Sequence, residues 1–194
     1  MSLVEKPEFN QYWYSDSTIQ TIISAINEPI LEVDGSIRTP RCAFIATPSL
    51  FFSLSSDVRK SCNHAVLDID EEQFAKTGGS GFVKYDFRLQ PPADHLPKEL
   101  ERAFDIVVID PPFITEEVWR LFATSANYLL RDDGKGRVIC TTVAENLSLL
   151  VELFPGITRT KFQPSIPHLV YQYDLFCNWE AKSFAELNPE IPLD

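Results

Sequence analysis

The sequence predicts an α/β fold: a seven-stranded, mostly parallel sheet with one antiparallel strand and helices on both faces. Three observations predict it. Short apolar runs alternate with amphipathic helical stretches from residue 41 to about residue 154, the pattern of parallel strands joined by crossover helices. Ile106 to Ile109 are continuous and β-branched, as in a central strand buried on both faces. Beyond residue 155 the alternation stops, and Thr158 to Phe162 and Leu169 to Trp179 read as two strands with no helix between them. Consecutive strands without a crossover are antiparallel.

The elements follow in chain order. Ser15 has the chemistry of a helix N-cap, and Ile19, Ile22, Ile23 and Ile26 recur at helical spacing before Pro29 ends the pattern. Arg41 to Ala46 is the first strand. Thr47-Pro48 then offers a cap and a proline at the first helical position, with Leu50, Phe51, Leu54 and Val58 on one face. His64 to Ile69 is a second strand closing on Asp70, with a short helix from Glu71 to Ala75. Gly78-Gly79-Ser80-Gly81 turns into a third strand, Phe82 to Tyr85, ending at Asp86. Pro91, Pro92 and Pro97 mark a loop before the strand that ends at Asp110. Thr115 caps a helix with Val118, Leu121, Phe122, Ala126 and Leu129 as its buried stripe. Glu116 and Glu117 occupy its first turn, where the helix dipole favours negative charge. Arg137 to Thr142 is the fifth strand, and Glu145 to Phe154 a helix stopped by Pro155-Gly156.

Composition narrows the function classes. A chain of 194 residues, 44% hydrophobic and 23% charged, suits one domain with a proper core. No apolar stretch approaches the ~20 residues of a spanning helix, and the first residues lack the apolar core of a signal peptide. Cys42, Cys62, Cys140 and Cys177 are scattered without CxxC spacing, so free thiols in a reducing compartment are expected and no metal site is. These features point to the cytoplasm; a monomer is expected. The formal net charge of −11 and the absence of a Lys/Arg cluster argue against a polyanion as partner; an acidic surface steers basic partners instead. His64, His95 and His168 pair with no Ser or Cys in a way that would suggest a hydrolase triad.

The chemistry concentrates at strand ends. Asp110-Pro111-Pro112-Phe113 follows the central run, and its prolines force the chain away from the sheet. Open α/β sheets bind ligands at the carboxyl ends of their strands. An acid, a carbonyl and an aromatic face at that point suit a nitrogen nucleophile. Asp70, with Asp68 two residues before it, and Asp86 also end apolar strands. All are expected to open onto one crevice. A carboxylate after the second strand can accept ribose hydroxyls; one after the third can accept an adenine amine while a neighbour such as Phe87 sandwiches the ring. The turn after the first strand, Ala46-Thr47-Pro48-Ser49, lacks the glycines common at nucleotide sites.

Several segments together make the sequence recognisable. Gln11-Tyr12-Trp13-Tyr14-Ser15, Phe44-Ile45-Ala46-Thr47-Pro48-Ser49, Tyr85-Asp86 and Phe104 to Phe113 occur in this order. From about residue 9 to about residue 180 the chain resembles the elongation factor 1-alpha lysine methyltransferase 1 family, a group also described as adenine-specific DNA methyltransferases. The resemblance implies a Rossmann-like class I methyltransferase fold and S-adenosylmethionine as methyl donor. Trp13, Tyr14, Ser15, Ala46, Thr47, Pro48, Asp68, Asp70, Asp86, Phe87 and Asp110 are then the candidate donor-binding residues, and Asp110, Pro111, Pro112 and Phe113 hold the acceptor nitrogen. Residues 1–30 become an arm and helix covering the donor site, 31–182 the methyltransferase domain and 183–194 a tail. The partner implied is a basic protein, translation elongation factor 1-alpha.

For such a transfer, an acceptor lysine, pKa near ~10.4, has to lose a proton before it attacks. Asp110 and the Pro111 carbonyl orient the amine, and Phe113 packs on its methylene stem with a cation–π face worth roughly 0.5–2 kcal/mol. Trp119, one turn into its helix, either borders the acceptor entrance or packs in the core. Two competing functions remain open at this point: adenine methylation of nucleic acid, resting on Asp-Pro-Pro-Phe alone, and a non-catalytic scaffold, motivated by the glycine-free first turn.

Overall fold

The computed structural model describes residues 5–9, 11–32, 34–74 and 81–192. Its strands are β1 (Ile30–Leu31), β2 (Ile37–Arg38), β3 (Cys42–Ile45), β4 (Ala65–Asp68), β5 (Phe82–Lys84), β6 (Ile106–Ile109), β7 (Arg137–Thr142), β8 (Thr158–Arg159) and β9 (Asp174–Cys177). The α-helices are α1 (Asp16–Ile26), α2 (Pro48–Ser53), α3 (Ser56–Ser61), α4 (Glu71–Phe74), α5 (Glu116–Leu129) and α6 (Leu147–Leu153).

Seven strands form one sheet in the order β5-β4-β3-β6-β7-β9-β8. Strands β5, β4, β3, β6 and β7 are parallel, and β9 runs antiparallel to both β7 and β8. The expected α/β fold, a mostly parallel seven-stranded sheet with one reversed strand, is the observed one. Alternation across the pleat explains the continuous apolar runs. Ala43, Ile45, Val107 and Ile109 face Trp119 and Phe122 of α5. Cys42, Phe44, Ile106 and Val108 face Ile22 and Ile26 of α1 and Leu50 and Phe51 of α2. Trp119 is wholly enclosed and belongs to the core. Leu121 is only half-buried, unlike the other members of its stripe.

The chain moves outward from β3 through β4 to β5, then crosses back to lay β6 on the other side of β3. That reversal parts the connections above β3 and β6 and leaves a crevice at their carboxyl ends. In register, Ile45 lies beside Ile109, so the next residues, Ala46 and Asp110, emerge side by side.

Several details depart from expectation. The single helix after β3 is two, because Leu54 is extended and the Ser55 hydroxyl accepts the Val58 N–H to start α3. The long last strand shrinks to Asp174–Cys177, the four residues paired with β7, and residues 163–173 leave the sheet as a loop. The strand expected over Thr158 to Phe162 is reduced to two residues, since Thr160 turns its hydroxyl onto the Phe162 and Leu175 carbonyls. The β1–β2 hairpin is an addition to the expected elements, although Asp34-Gly35 is a hairpin signal; Gly35 takes φ +81° there. Residues 78–80 of the expected glycine turn, and Ala75, lie outside the described residues.

Candidate active site

Ala46 leaves β3 with φ +55°, in the left-handed region where glycine is usual. Its N–H donates to the Leu67 carbonyl at 2.9 Å, tying the turn to β4. The glycine-free turn therefore has the glycine conformation, carried by the smallest chiral residue. Thr47 stands at the start of α2, yet its side chain makes no capping bond. Its Oγ1 is buried without a partner. Burying a hydroxyl unpaired costs ~1–3 kcal/mol, an arrangement that makes sense where a ligand completes the bond.

Above β3 and β6 lies a cleft of about 490 Å³. Its wall includes Trp13 and Tyr14 from the arm, Ala46, Thr47 and Pro48, Asp68, Phe87, and Asp110 through Phe113. Among the described residues, the Asp110 carboxyl is held by hydroxyls. Tyr14 Oη donates to Asp110 Oδ2 at 2.8 Å and lies 2.6 Å from Thr141 Oγ1 on β7. Burial pushes the Asp110 carboxyl up to about 7, and the Tyr14 and Thr141 hydroxyls pull part of the way back. Asp68, also buried, is pushed up to about 6 by desolvation while accepting the Asp70 N–H at 2.9 Å. Pro111 is buried, whereas Phe113 is 50% exposed at the mouth.

Three candidate residues do not line this cleft. Ser15 caps α1 by accepting the Thr18 N–H and points its hydroxyl toward Thr18 and Glu190. Asp70 is buried against Lys6, whose Nζ is 2.8 Å from Oδ2. Asp86 is gripped by the Arg88 guanidinium, which holds its carboxyl below the usual range. It faces a second cleft with Lys84, Leu89 and His95, which adjoins the first at Ile69 and Tyr85. The strand-end acids thus do not share one opening. Asp68 and Asp110 do, because β4 and β6 flank β3; at the end of the edge strand β5, Tyr85 and Phe87 line this cleft while Asp86 between them lines the second.

Two groups escape a reading of the sequence. Gln11 is buried with both amide atoms unpartnered; a polar residue inside an aromatic segment is its signal. The loop residues Ile166, Leu169, Val170, Tyr171 and Tyr173 also line the cleft, hidden from sequence because most of them read as strand. The Trp13 indole N–H is likewise buried and unpaired. An amide, an indole N–H and a hydroxyl left open around a mostly apolar cleft with two carboxylates fit a molecule such as S-adenosylmethionine, which has a flat ring and polar ends.

The family model described as "Probable N6-adenine methyltransferase" matches residues 5–181. Among curated relatives, EEF1A lysine methyltransferase 1 of Danio rerio is 30% identical over 181 residues, covering 89% of this chain and 98% of that protein. Protein-lysine N-methyltransferase M142.8 of Caenorhabditis elegans is 26% identical over 180 residues, covering 91% and 79%. The solved branched-chain polyamine synthase of Thermus thermophilus superposes with a TM-score of 0.57 at 15% identity, over 90% of this chain and 59% of that one. That last likeness is one of fold. With residues 5–181 matched and the strand-end cleft in place, the chain belongs to the probable N6-adenine methyltransferase family, as a class I S-adenosylmethionine methyltransferase related to the EEF1A lysine methyltransferase 1 proteins.

Proposed function

We propose that the protein transfers a methyl group from S-adenosylmethionine to a lysine side-chain amine of a protein, translation elongation factor 1-alpha being the substrate that its relatives' names point to. The observation that carries this reading is the chemistry of the cleft wall. It contains Asp68 and Asp110 and, among the described residues, no lysine, arginine or histidine. A nucleic-acid site needs cations for phosphate; a cationic lysine stem needs carboxylates and aromatic faces. The lip is apolar as well, with Phe113, Val170 and Tyr171 exposed by 50%, 90% and 65%. Exposed apolar side chains grouped at a cleft mouth suit a protein surface.

When bound, the donor supplies an electrophilic methyl group on its sulfonium. Thr47, Gln11 and Trp13 are assigned to hold it, with Asp68 accepting its hydroxyls. Ser15, Asp70 and Asp86 are left with supporting roles. Asp110 and the Pro111 carbonyl orient the acceptor amine, and Phe113 stacks on its stem. Phe113 has no hydroxyl and donates no hydrogen bond. Because Asp110 sits at about 7, its carboxylate is available near neutral pH to take the ammonium proton, whereas in acid it is a neutral carboxyl and cannot. Positioning supplies the rest of the rate. This reading also places the protein in the cytoplasm, acting as a monomer.

The deciding experiment incubates the protein with methyl-labelled donor and a cell lysate, then with purified elongation factor 1-alpha. Label on lysine is expected, lost in Asp110→Ala. Label on nucleic acid would establish the adenine reading instead, and no donor binding at millimolar concentration would establish a scaffold.

A further inference from the structure

We propose that Tyr14 is a positioning residue for the transfer, its hydroxyl locking the Asp110 carboxyl in one orientation at the cleft floor, rather than part of a lid over the donor. The inference rests on the methyltransferase reading and deepens it. Three observations carry it. First, Tyr14 is buried, 5% exposed, whereas the neighbouring Tyr12 and Trp13 are only half-buried. A lid side chain samples solvent when open; this one belongs to the core cluster with Ile19, Ile22 and Leu175. Second, its Oη lies 2.8 Å from Asp110 Oδ2 and 2.6 Å from Thr141 Oγ1. A phenol has one proton and donates once. Tyr14 therefore gives its proton to the carboxyl, and the Thr141 hydroxyl, which lies against Oη, also acts on Asp110, so the three form one compact hydroxyl–carboxyl cluster. Third, the backbone on either side is pinned. The Trp13 N–H donates to Glu5 Oε1 at 2.7 Å, and the Ser15 N–H donates to the Ser165 carbonyl at 2.9 Å.

The titratable groups facing Asp110 are Tyr14 from the arm, Cys140 on β7 and Tyr173 before β9. None is cationic, and among the described residues no lysine, arginine or histidine forms an ion pair with Asp110. With no cation present, the hydroxyls are what keep the carboxylate accessible near neutral pH against the cost of burial. A carboxyl held by hydroxyls from two separate elements, the arm and β7, keeps one orientation and stays aligned on the acceptor amine.

The test compares wild type with Tyr14→Phe, which preserves the ring and its packing. The Asp110 titration is followed by carboxyl carbon NMR in protein with labelled aspartate and no substrate, then by the pH profile of kcat. Tyr14→Phe is expected to move the Asp110 midpoint up by about one pH unit or more and to shift the acidic limb of kcat in parallel, with donor Kd within ~2-fold. Thr141→Val should give a smaller shift of the same sign and serves if Tyr14→Phe folds poorly. An unmoved Asp110 midpoint, or a loss confined to donor Kd, would overturn the proposal and return Tyr14 to the donor. Because the NMR titration needs no acceptor, a protein that methylates no lysine would sink the functional reading without deciding this one.

Discussion

Replacing Asp110 with asparagine should make the protein more stable and inactive. An ordinary aspartate titrates near 3.8, and burial moves Asp110 to about 7. Each unit of difference between folded and unfolded states is ~1.36 kcal/mol, so about three units are worth ~4 kcal/mol. The sign follows from linkage. The folded state holds this proton more tightly than the unfolded chain, so stability from the site is full below the unfolded value and is lost as pH rises to about 7. Above that it stays lost. The asparagine side chain cannot ionise, and its amide oxygen can still accept the Tyr14 hydroxyl. Urea unfolding of both proteins across the range isolates the site, because Asp68 and every other shared group cancel in the difference. Between pH 5 and pH 8 the gap in favour of Asp110→Asn should widen by roughly 2–3 kcal/mol. Activity should drop at least ~100-fold, since the amide cannot take a proton. Parallel stability curves with no widening gap would refute the argument that Asp110 is held against its solvation preference.

Three further outcomes follow from the same geometry. Thr47→Val should raise the stability of the free protein by about 1 kcal/mol or more, because it removes a buried hydroxyl that has no partner; calorimetry should show donor affinity reduced by roughly 5- to 10-fold. Asp105→Asn should destabilise by about 3 kcal/mol in urea unfolding, by stripping Arg38 and Arg131 of their buried partner, while kcat stays within ~2-fold. Ala46→Gly should raise stability by about 0.5–1 kcal/mol, since the ~1–2 kcal/mol cost of a left-handed alanine exceeds the entropy a glycine adds to the unfolded chain. Unchanged or lower stability there would mean that the turn carries no strain.

The two aspartates that bracket β6 show how far reading the sequence goes. Asp105 and Asp110 stand at opposite ends of one apolar run and look alike in sequence. Asp105 meets Arg38 and Arg131, and takes the Arg41 N–H at 2.8 Å, so its carboxyl is held below the ordinary range. Asp110, among the described residues, meets hydroxyls and is pushed up. No local pattern distinguishes them, because Asp110's Tyr14 and Thr141 lie 96 residues before it and on the neighbouring strand. Asp86 is misplaced by sequence for a related reason. Strand-end position is legible from hydrophobic runs, but which side chains at an end face the crevice is not: Tyr85 and Phe87 line it, whereas Asp86 turns to Arg88 and the second cleft.

What the residues determined alone was whatever rests on periodicity and local chemistry. Runs of β-branched residues marked the strands, Ser15 and Thr115 began helices α1 and α5, and Asp110 to Phe113 marked where β6 leaves the sheet. Tertiary structure alone decided which acids share a cleft, which hydroxyls are spent on caps and which stay open, and that Tyr14 reaches Asp110. Those outcomes depend on strand order and desolvation, quantities set by residues distant in sequence and fixed only when the chain closes on itself.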